Sequence, residues 1–397
     1  MIPDRWLLPE GVDEVLPPEA RRLEGLRRRL IDLFSGWGYE LVITPFIEYL
    51  DSLLIGTGHD LDLATFKLTD QLTGRMMGVR ADMTPQVARI DAQALGREEP
   101  VRLCYIGTVL HALPDGFTRT RAPVQVGAEL YGHAGVESDC EVVCLMLETL
   151  ALAGVRDVHL DLGHVGVFRG LARKAKLDEA DELRLHGALQ RKARAEVEEI
   201  VAALRPAPAL GGMLESLVDL NGDAEVVERA RGLLGGAGRE VAAAIDRLER
   251  LAREVRARVP DVPVHFDLAE LRGYRYHTGV VFAALVPGHG REIARGGRYD
   301  EVGAVFGRRR PATGFSTDLK SLAALGVAGA GGGTQAETHA AILAPWSDDA
   351  ELQAEVRALR AKGERVIYEL PAAGGGATAR AGPRLRKRGD RWVLEPR

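Results

Sequence analysis

The chain has 397 residues, enough for two or three domains with sizeable cores. Hydrophobic residues make up 46% and charged residues 27%, as in ordinary globular proteins, and the net charge of −5 creates no global attraction for nucleic acid or an anionic membrane. Aromatic residues are only 5%, which leaves little surface for stacking bases.

Cys104, Cys140 and Cys144 lack disulfide or zinc spacing, which points to reduced thiols and a cytoplasmic location. No apolar run reaches the length of about eighteen residues that a membrane span needs. The MIPDRWLLPEG start lacks a basic segment followed by an apolar one, so no signal peptide is expected either.

Pro17-Pro18 opens a helix that carries Leu23, Leu26, Leu30, Leu33, Phe34 and Trp37 on one stripe, and Gly36 and Gly38 end it. A strand over Tyr39 to Thr44 follows, stopped by Pro45, which cannot donate to a ladder and so marks an edge or an interface. A stripe that apolar beside an edge strand needs a cover. Leu23, Leu26, Leu30 and Phe34 are therefore expected to form a dimer surface with that strand.

Ala64 to Leu68 and Arg75 to Arg80 read as a hairpin. In RADMTPQVAR, Thr84 before Pro85 reads as an N-cap, and Asp82 at a strand end suits an amino group. Val101 to Gly107 is a strand. His111 to Pro123 is a loop from which Arg119 and Arg121 are free to project. Val124 to Tyr131 is a strand that sets Gln125, Gly127, Glu129 and Tyr131 on one polar face. Ser138 to Leu152 is an apolar helix in which Cys140 and Cys144 pack. Val158 to Leu162 is a strand.

From about Val165 to Val259 the sequence turns helical, with charges of both signs mixed on solvated faces. Because β character resumes at Val264 to Leu268, this stretch reads as a helical insertion between two strands of one sheet. LRGYRYHTG, ARGGRYDEV and PATGFSTDLKSL follow as strand pieces bounded by glycine. Arg272, Arg295, Arg298, Tyr276 and Tyr299 would then line a concave, basic and aromatic surface suited to an anionic or amino-acid ligand. The alternative is a plain antiparallel sheet with solvated arginines.

Residues 1–325 thus form the main domain, residues 326–338 a glycine-rich linker, and residues 339–397 a small α/β domain. That domain closes with the hairpin RLRKRGDRWVL around Gly389-Asp390. Its basic run from Arg384 to Arg391 fits either an RNA contact or charge that protects a sheet edge. There is no Walker A loop, no G-x-S-x-G and no H-E-x-x-H.

The order RADMT, YIGTVLH…RTRAPVQVGAELYG, LRGYRYHTG, ARGGRYDEV and ATGFSTDLKSL resembles the catalytic domain of histidyl-tRNA synthetase, over roughly Leu8 to Leu325. The resemblance implies an α+β fold, a class II synthetase-like antiparallel sheet flanked by helices, dimeric through its first helix and strand. It also implies that Asp82 and Thr84 hold a histidine amino group, Gln125 and Glu129 line the pocket, Arg272 meets the carboxylate and Tyr276 the ring. His277 stands where the family has tyrosine, and Arg275 where it has aspartate. The ATP ligands differ more. His111 and Leu113 replace an arginine and a glutamate, and Ser321, beside Lys320, replaces a second arginine. Losing two phosphate-directed arginines is worth about 10³-fold or more in rate.

A synthetase-like fold with a histidine-like pocket and altered ATP positions is similar to the regulatory subunits of ATP phosphoribosyltransferase. That likeness implies a non-catalytic protein with no cofactor and no metal. It also implies a short-form catalytic subunit as partner, a homodimer within a hetero-oligomer, and free histidine as ligand. An active histidyl-tRNA synthetase and a tRNA-binding paralogue are the alternatives.

Overall fold

The computed structural model describes residues 7–54, 59–113, 120–270, 273–274, 276–329, 341–370, 382–389 and 391–395. Helix α1 (Glu19–Gly36) follows Pro18 and buries Leu26, Leu30 and Phe34. Gly38 turns the chain out of it at φ 81°, a backbone that a residue without Cβ adopts freely. The apolar stripe is not a dimer surface. Leu30 and Phe34 are 0% exposed within the same chain, and Phe34 meets Phe315 edge-on at 6.3 Å between ring centroids.

The chain continues through β1 (Glu40–Leu41), β2 (Ile47–Tyr49), α2 (Leu50–Leu53), α3 (His59–Ala64), β3 (Phe66–Thr69) and β4 (Met76–Val79). The expected strand up to Thr44 shrinks to β1, which among the described residues pairs with one neighbour. The expected hairpin is β3–β4, and β2 joins it to make a small three-stranded sheet.

Next come α4 (Thr84–Arg89), β5 (Val101–Thr108), β6 (Val124–Tyr131), α5 (Val136–Leu152) and β7 (His159–His164). The insertion holds α6 (Val165–Ala175), α7 (Glu179–Gln190), α8 (Arg194–Leu204), α9 (Pro208–Ser216), the two-residue β8 (Asn221–Gly222), α10 (Glu225–Leu234) and α11 (Arg239–Arg258). Strands β9 (Val264–Asp267), β10 (Val280–Leu285), β11 (Ala294–Arg298) and β12 (Ala312–Asp318) complete the main sheet, and α12 (Leu319–Gly329) follows. Helix α12 therefore runs into the stretch read as linker, and residues 330–340 lie outside the described residues.

Among the described residues the main sheet has nine strands in the order β1-β5-β6-β12-β11-β10-β7-β9-β8. Its pairs are antiparallel except β1–β5 and β7–β9. The parallel β7–β9 pair needs a long crossover, which the insertion supplies.

The two faces of the sheet differ. Val126, Ala128 and Leu130 of β6 join Phe282 and Phe315 in the apolar core under α5, with α1 and α11 alongside. One charged cluster is sealed on that side. Arg298 is 3% exposed and donates to Asp139 and to Ser138 Oγ, and Arg247 donates to the same Asp139. Cys140 and Cys144 lie in this core as free thiols. The opposite face carries Gln125, Glu129 and the pocket described below.

The second compact unit spans Ala330–Arg397. It contains β13 (Ile342–Pro345), α13 (Ala350–Ala361), β14 (Val366–Glu369), β15 (Arg384–Arg388) and β16 (Arg391–Glu395), with strand order β14-β13-β15-β16. Its basic run is largely neutralised locally: Arg384 meets Glu369 at 3.1 Å, Arg388 meets Glu395 at 2.9 Å and Lys387 meets Asp349 at 2.7 Å. The turn residue Asp390 lies outside the described residues.

Because Leu30 is core, Leu30→Ala should lower the unfolding free energy by about 2–5 kcal/mol in a denaturant titration. Leu30→Glu should give a misfolded chain. A soluble, folded Leu30→Glu monomer would contradict the packing.

Candidate functional site

Strand alternation turns Gln125, Gly127, Glu129 and Tyr131 away from α5. Glu129 sits at the centre and is 1% exposed. Its Oε1 accepts from the Tyr105 hydroxyl at 2.9 Å, and its Oε2 accepts from the Tyr299 hydroxyl. Tyr105 in turn shares a hydrogen bond with Thr84 Oγ1 at 3.0 Å.

The sheet makes room for the carboxyl with glycine. Gly314 pairs with Glu129 across β12 and β6, and a Cβ there would lie 1.5 Å from Glu129 Oε2. Gly297 is the next residue across the sheet, and a Cβ there would lie 2.6 Å from the His277 ring. Tyr276 stacks on Tyr299 at 5.1 Å and 29°, and His277 stands edge-on to Tyr276 at 5.4 Å. The Tyr276 hydroxyl is buried without a hydrogen-bond partner among the described residues.

Asp82 and Gln125 form a second polar group next to this centre. Gln125 Nε2 donates to Asp82 Oδ1 at 2.7 Å, and Gln125 Oε1 accepts from the Met83 amide at 2.9 Å. Asp82 Oδ1 also accepts from the Thr84 amide at 3.0 Å. Thr84 is thus the first residue of α4, not its side-chain cap. Asp82 takes the helix-start amide, which frees the Thr84 hydroxyl for Tyr105.

Burial pushes the Glu129 carboxyl up to about 8, and the negative charge of Asp82 adds to the rise. The hydrogen bonds from Tyr299, Tyr105 and Thr84 pull the other way without cancelling it. Burial also raises the hydroxyls of Tyr105, Tyr276 and Tyr299, with the Glu129 charge next in effect, so they are neutral donors.

Asp82, Thr84, Gln125, Glu129, Tyr276 and His277 are therefore neighbours. Arg272 lies outside the described residues, as do Arg119 and Arg275. Two expected arginines do not line the pocket. Arg298 has the opposite strand parity from Tyr299 and is buried against Asp139, while Arg295 is exposed and pairs with Glu292 at 3.2 Å. Arg121 does not project freely, because it donates to the His111 carbonyl at 2.9 Å and lies over the Phe66 ring. Tyr105 is the residue that sequence reading missed. It sits inside an apolar strand, and the available signal was Gly127, its cross-strand partner.

The positions matched to ATP ligands are otherwise engaged. His111 Nε2 lies 3.0 Å from the Ala81 carbonyl, and Leu113 is 62% exposed. The Ser321 hydroxyl donates to Asp318 at 2.7 Å, and Lys320 pairs with Asp13 at 3.1 Å. Among the described residues no three His, Cys, Asp or Glu side chains converge as a metal set, and no helix is long and apolar enough to cross a membrane. A groove of about 640 Å³ lies elsewhere, between Trp37, Leu147 and Val259, and no pocket residue lines it.

Sequence comparison matches residues 11–322 to the histidyl-tRNA synthetase family and residues 339–395 to the C-terminal domain of ATP phosphoribosyltransferase subunit HisZ. A protein from Alkalilimnicola ehrlichii named ATP phosphoribosyltransferase regulatory subunit is 58% identical, over 99% of this chain and 98% of its own. The chain belongs to the ATP phosphoribosyltransferase regulatory subunit family. A relative of the same name from Thioalkalivibrio sulfidiphilus is 56% identical, over 98% of both chains. The solved structure of an ATP phosphoribosyltransferase regulatory subunit/histidyl-tRNA synthetase from Bacillus halodurans superposes with a TM-score of 0.81 at 28% identity. It covers 92% of this chain and 93% of its own. A histidyl-tRNA synthetase from Nostoc sp. PCC 7120, 20% identical over 93% of this chain and 87% of its own, shares the fold with a TM-score of 0.76.

The Glu129 proton gives a test within this family member. Burial lifts the folded carboxyl to about 8, against an ordinary value of 4.5. The folded chain binds that proton more tightly, so the contribution to stability is full below the unfolded value and is lost as pH rises towards the folded one. Glu129→Gln cannot ionise. Its stability relative to wild type should therefore rise between about pH 5 and 8 in ligand-free denaturant titrations. A constant difference across that window would show that Glu129 ionises normally.

Proposed function

We propose that the chain is the non-catalytic regulatory subunit of ATP phosphoribosyltransferase and that it senses histidine in the pocket around Glu129. It assembles with a short-form catalytic subunit, as a homodimer within a hetero-oligomer, and makes the first step of histidine biosynthesis active and sensitive to histidine. The observation that carries this reading is the contrast within one domain. Glu129 keeps a buried polar pocket with a Tyr276 hydroxyl that has no partner among the described residues, while His111, Leu113 and Ser321 stand at the positions the resemblance matches to ATP ligands.

The protonation chemistry suits an imidazole. A carboxyl near 8 beside a ring whose unperturbed value is about 6.5 holds one proton for two groups at neutral pH. Whichever group carries the proton, the pair has the same net charge, so the ring enters without burying an extra charge. Asp82 beside Gln125 suits the ligand's α-amino group.

Mixing the chain with a short-form catalytic subunit should produce ATP phosphoribosyltransferase activity that falls as histidine is added. The chain alone should show no histidine-dependent ATP–pyrophosphate exchange. Exchange above the level of a dead synthetase control would contradict the non-catalytic reading.

The dimer surface that fits the structure is the strand edge, not the helix stripe. Ile43 is 86% exposed, and Leu41, Phe46 and Ile47 are each more than 40% exposed nearby. Ile43→Glu should convert a dimer to a monomer in light scattering at micromolar concentration while the fold persists. An unchanged mass would place the interface elsewhere.

A further inference from the structure

The segment that carries Tyr276 and His277 is fastened at two ends, and one fastening is remote from the pocket. Gly273, at φ 65°, accepts from the amides of both Tyr276 and His277 at 2.8 Å, so these residues form a tight turn. A Cβ on Gly273 would lie 2.7 Å from His277 Nδ1, which leaves no room for a side chain. On the pocket side, the Thr278 amide donates to the Arg298 carbonyl at 2.7 Å, and the Tyr276 and His277 rings lie against Tyr299 and Gly297.

On the far side the fastening is to the helical insertion. Arg169 of α6 donates from one nitrogen to the Tyr274 carbonyl at 2.9 Å and to the His277 carbonyl at 3.1 Å. Its guanidinium lies over the Tyr274 ring at 4.9 Å. That ring packs on Phe168 of α6 at 5.3 Å and on His186 of α7 at 5.2 Å. The Tyr274 hydroxyl donates to Glu182 of α7.

We infer that Arg169 is a positioning residue for the pocket. It fixes Tyr276 and His277 over the glycine floor and, through Tyr274, makes α6 and α7 respond when the pocket fills. This rests on the histidine-sensing reading above and extends it to the route by which occupancy leaves the site. Two charge-assisted bonds from one guanidinium to the carbonyls on either side of the turn hold its geometry. Glu129 is 1% exposed, so a ligand that reaches it shifts the rings over the floor. A shift of those rings moves the Tyr274 and His277 carbonyls, and Arg169 transmits that to α6. Coupling of this kind requires an element whose state both sites bias, and the turn between Gly273 and Thr278 is that element.

The test is hydrogen–deuterium exchange on the full chain, with and without L-histidine, in wild type and Arg169→Gln. Inhibition curves on the reconstituted complex accompany it. In wild type, histidine should slow exchange in β6 and β11 and change it in α6 and α7. In Arg169→Gln the strand response should persist and the helix response should vanish. The histidine concentration for half-inhibition should rise about tenfold, a typical size for the loss of one coupling. Activation without histidine, measured alongside, reports whether the variant still folds and assembles with its partner. Arg169→Lys, which keeps the charge without the planar fork, should fall between the two. Tyr274→Phe removes only the hydroxyl held by Glu182 and should weaken the α7 response. It keeps the test open should Arg169→Gln fold poorly. An undiminished helix response in Arg169→Gln overturns the inference, and so does a wild-type response confined to the strands, with the pocket reading intact. No response anywhere in wild type overturns both.

Discussion

A buried carboxyl is expensive unless every oxygen finds a donor, and Glu129 meets that condition through Tyr105 and Tyr299. Much of the surrounding structure follows from this requirement. Tyr105 needs the space that Gly127 leaves, since a Cβ there would lie 2.3 Å from its hydroxyl. The carboxyl needs Gly314 beneath it, and Thr84 needs its own hydroxyl free for Tyr105. Asp82 therefore takes the amide at the start of α4. Replacing any of these glycines forces side chain and strand into the same volume. The pocket is a single hydrogen-bonded unit, not a set of independent polar residues.

The same sheet separates two kinds of chemistry. Under α5 the strands present mainly aliphatic and phenylalanine side chains, and the charged groups there are paired, Arg298 and Arg247 with Asp139 and Arg102 with Glu141. On the other face the polar unit lies next to a region where a synthetase would place its ATP ligands. Here those positions serve the fold. Ser321 helps close the turn at Asp318, Lys320 ties down Asp13, and His111 meets the Ala81 carbonyl. A chain organised in this way sets a buried polar pocket beside positions that the resemblance matches to ATP ligands and that here make structural contacts. That is the division expected of a regulatory subunit derived from a synthetase-like ancestor.

Elements with strong periodicity were legible in the sequence. β6 runs over Val124–Tyr131 as expected, α5 begins two residues earlier than expected, and the insertion does lie between two neighbouring strands of one sheet. Asp82, Thr84, Gln125, Glu129, Tyr276 and His277 lie together in the structure. What periodicity could not reveal was the partner of a buried face. The stripe of α1 looked like an interface because apolar residues at helical spacing show that a face is covered without showing by what. Arg298 was misread because it was grouped with Tyr299 on one surface, although consecutive residues of a strand face opposite sides of the sheet. Tyr105 was invisible because its hydroxyl points to the pocket from a strand that otherwise reads as core. Residues Val305, Leu63 and Leu72 are exposed apolar side chains for which the fold offers no account.

The central claim is that this pocket binds histidine through Glu129. Calorimetric titration of L-histidine into the purified chain and into its Glu129→Gln variant at neutral pH tests it most directly. The account predicts one saturable binding event per wild-type chain, weakened about tenfold or more in the variant, as expected when a buried hydrogen bond is lost. Equal affinity in the two proteins, or no binding to the wild type, would contradict it.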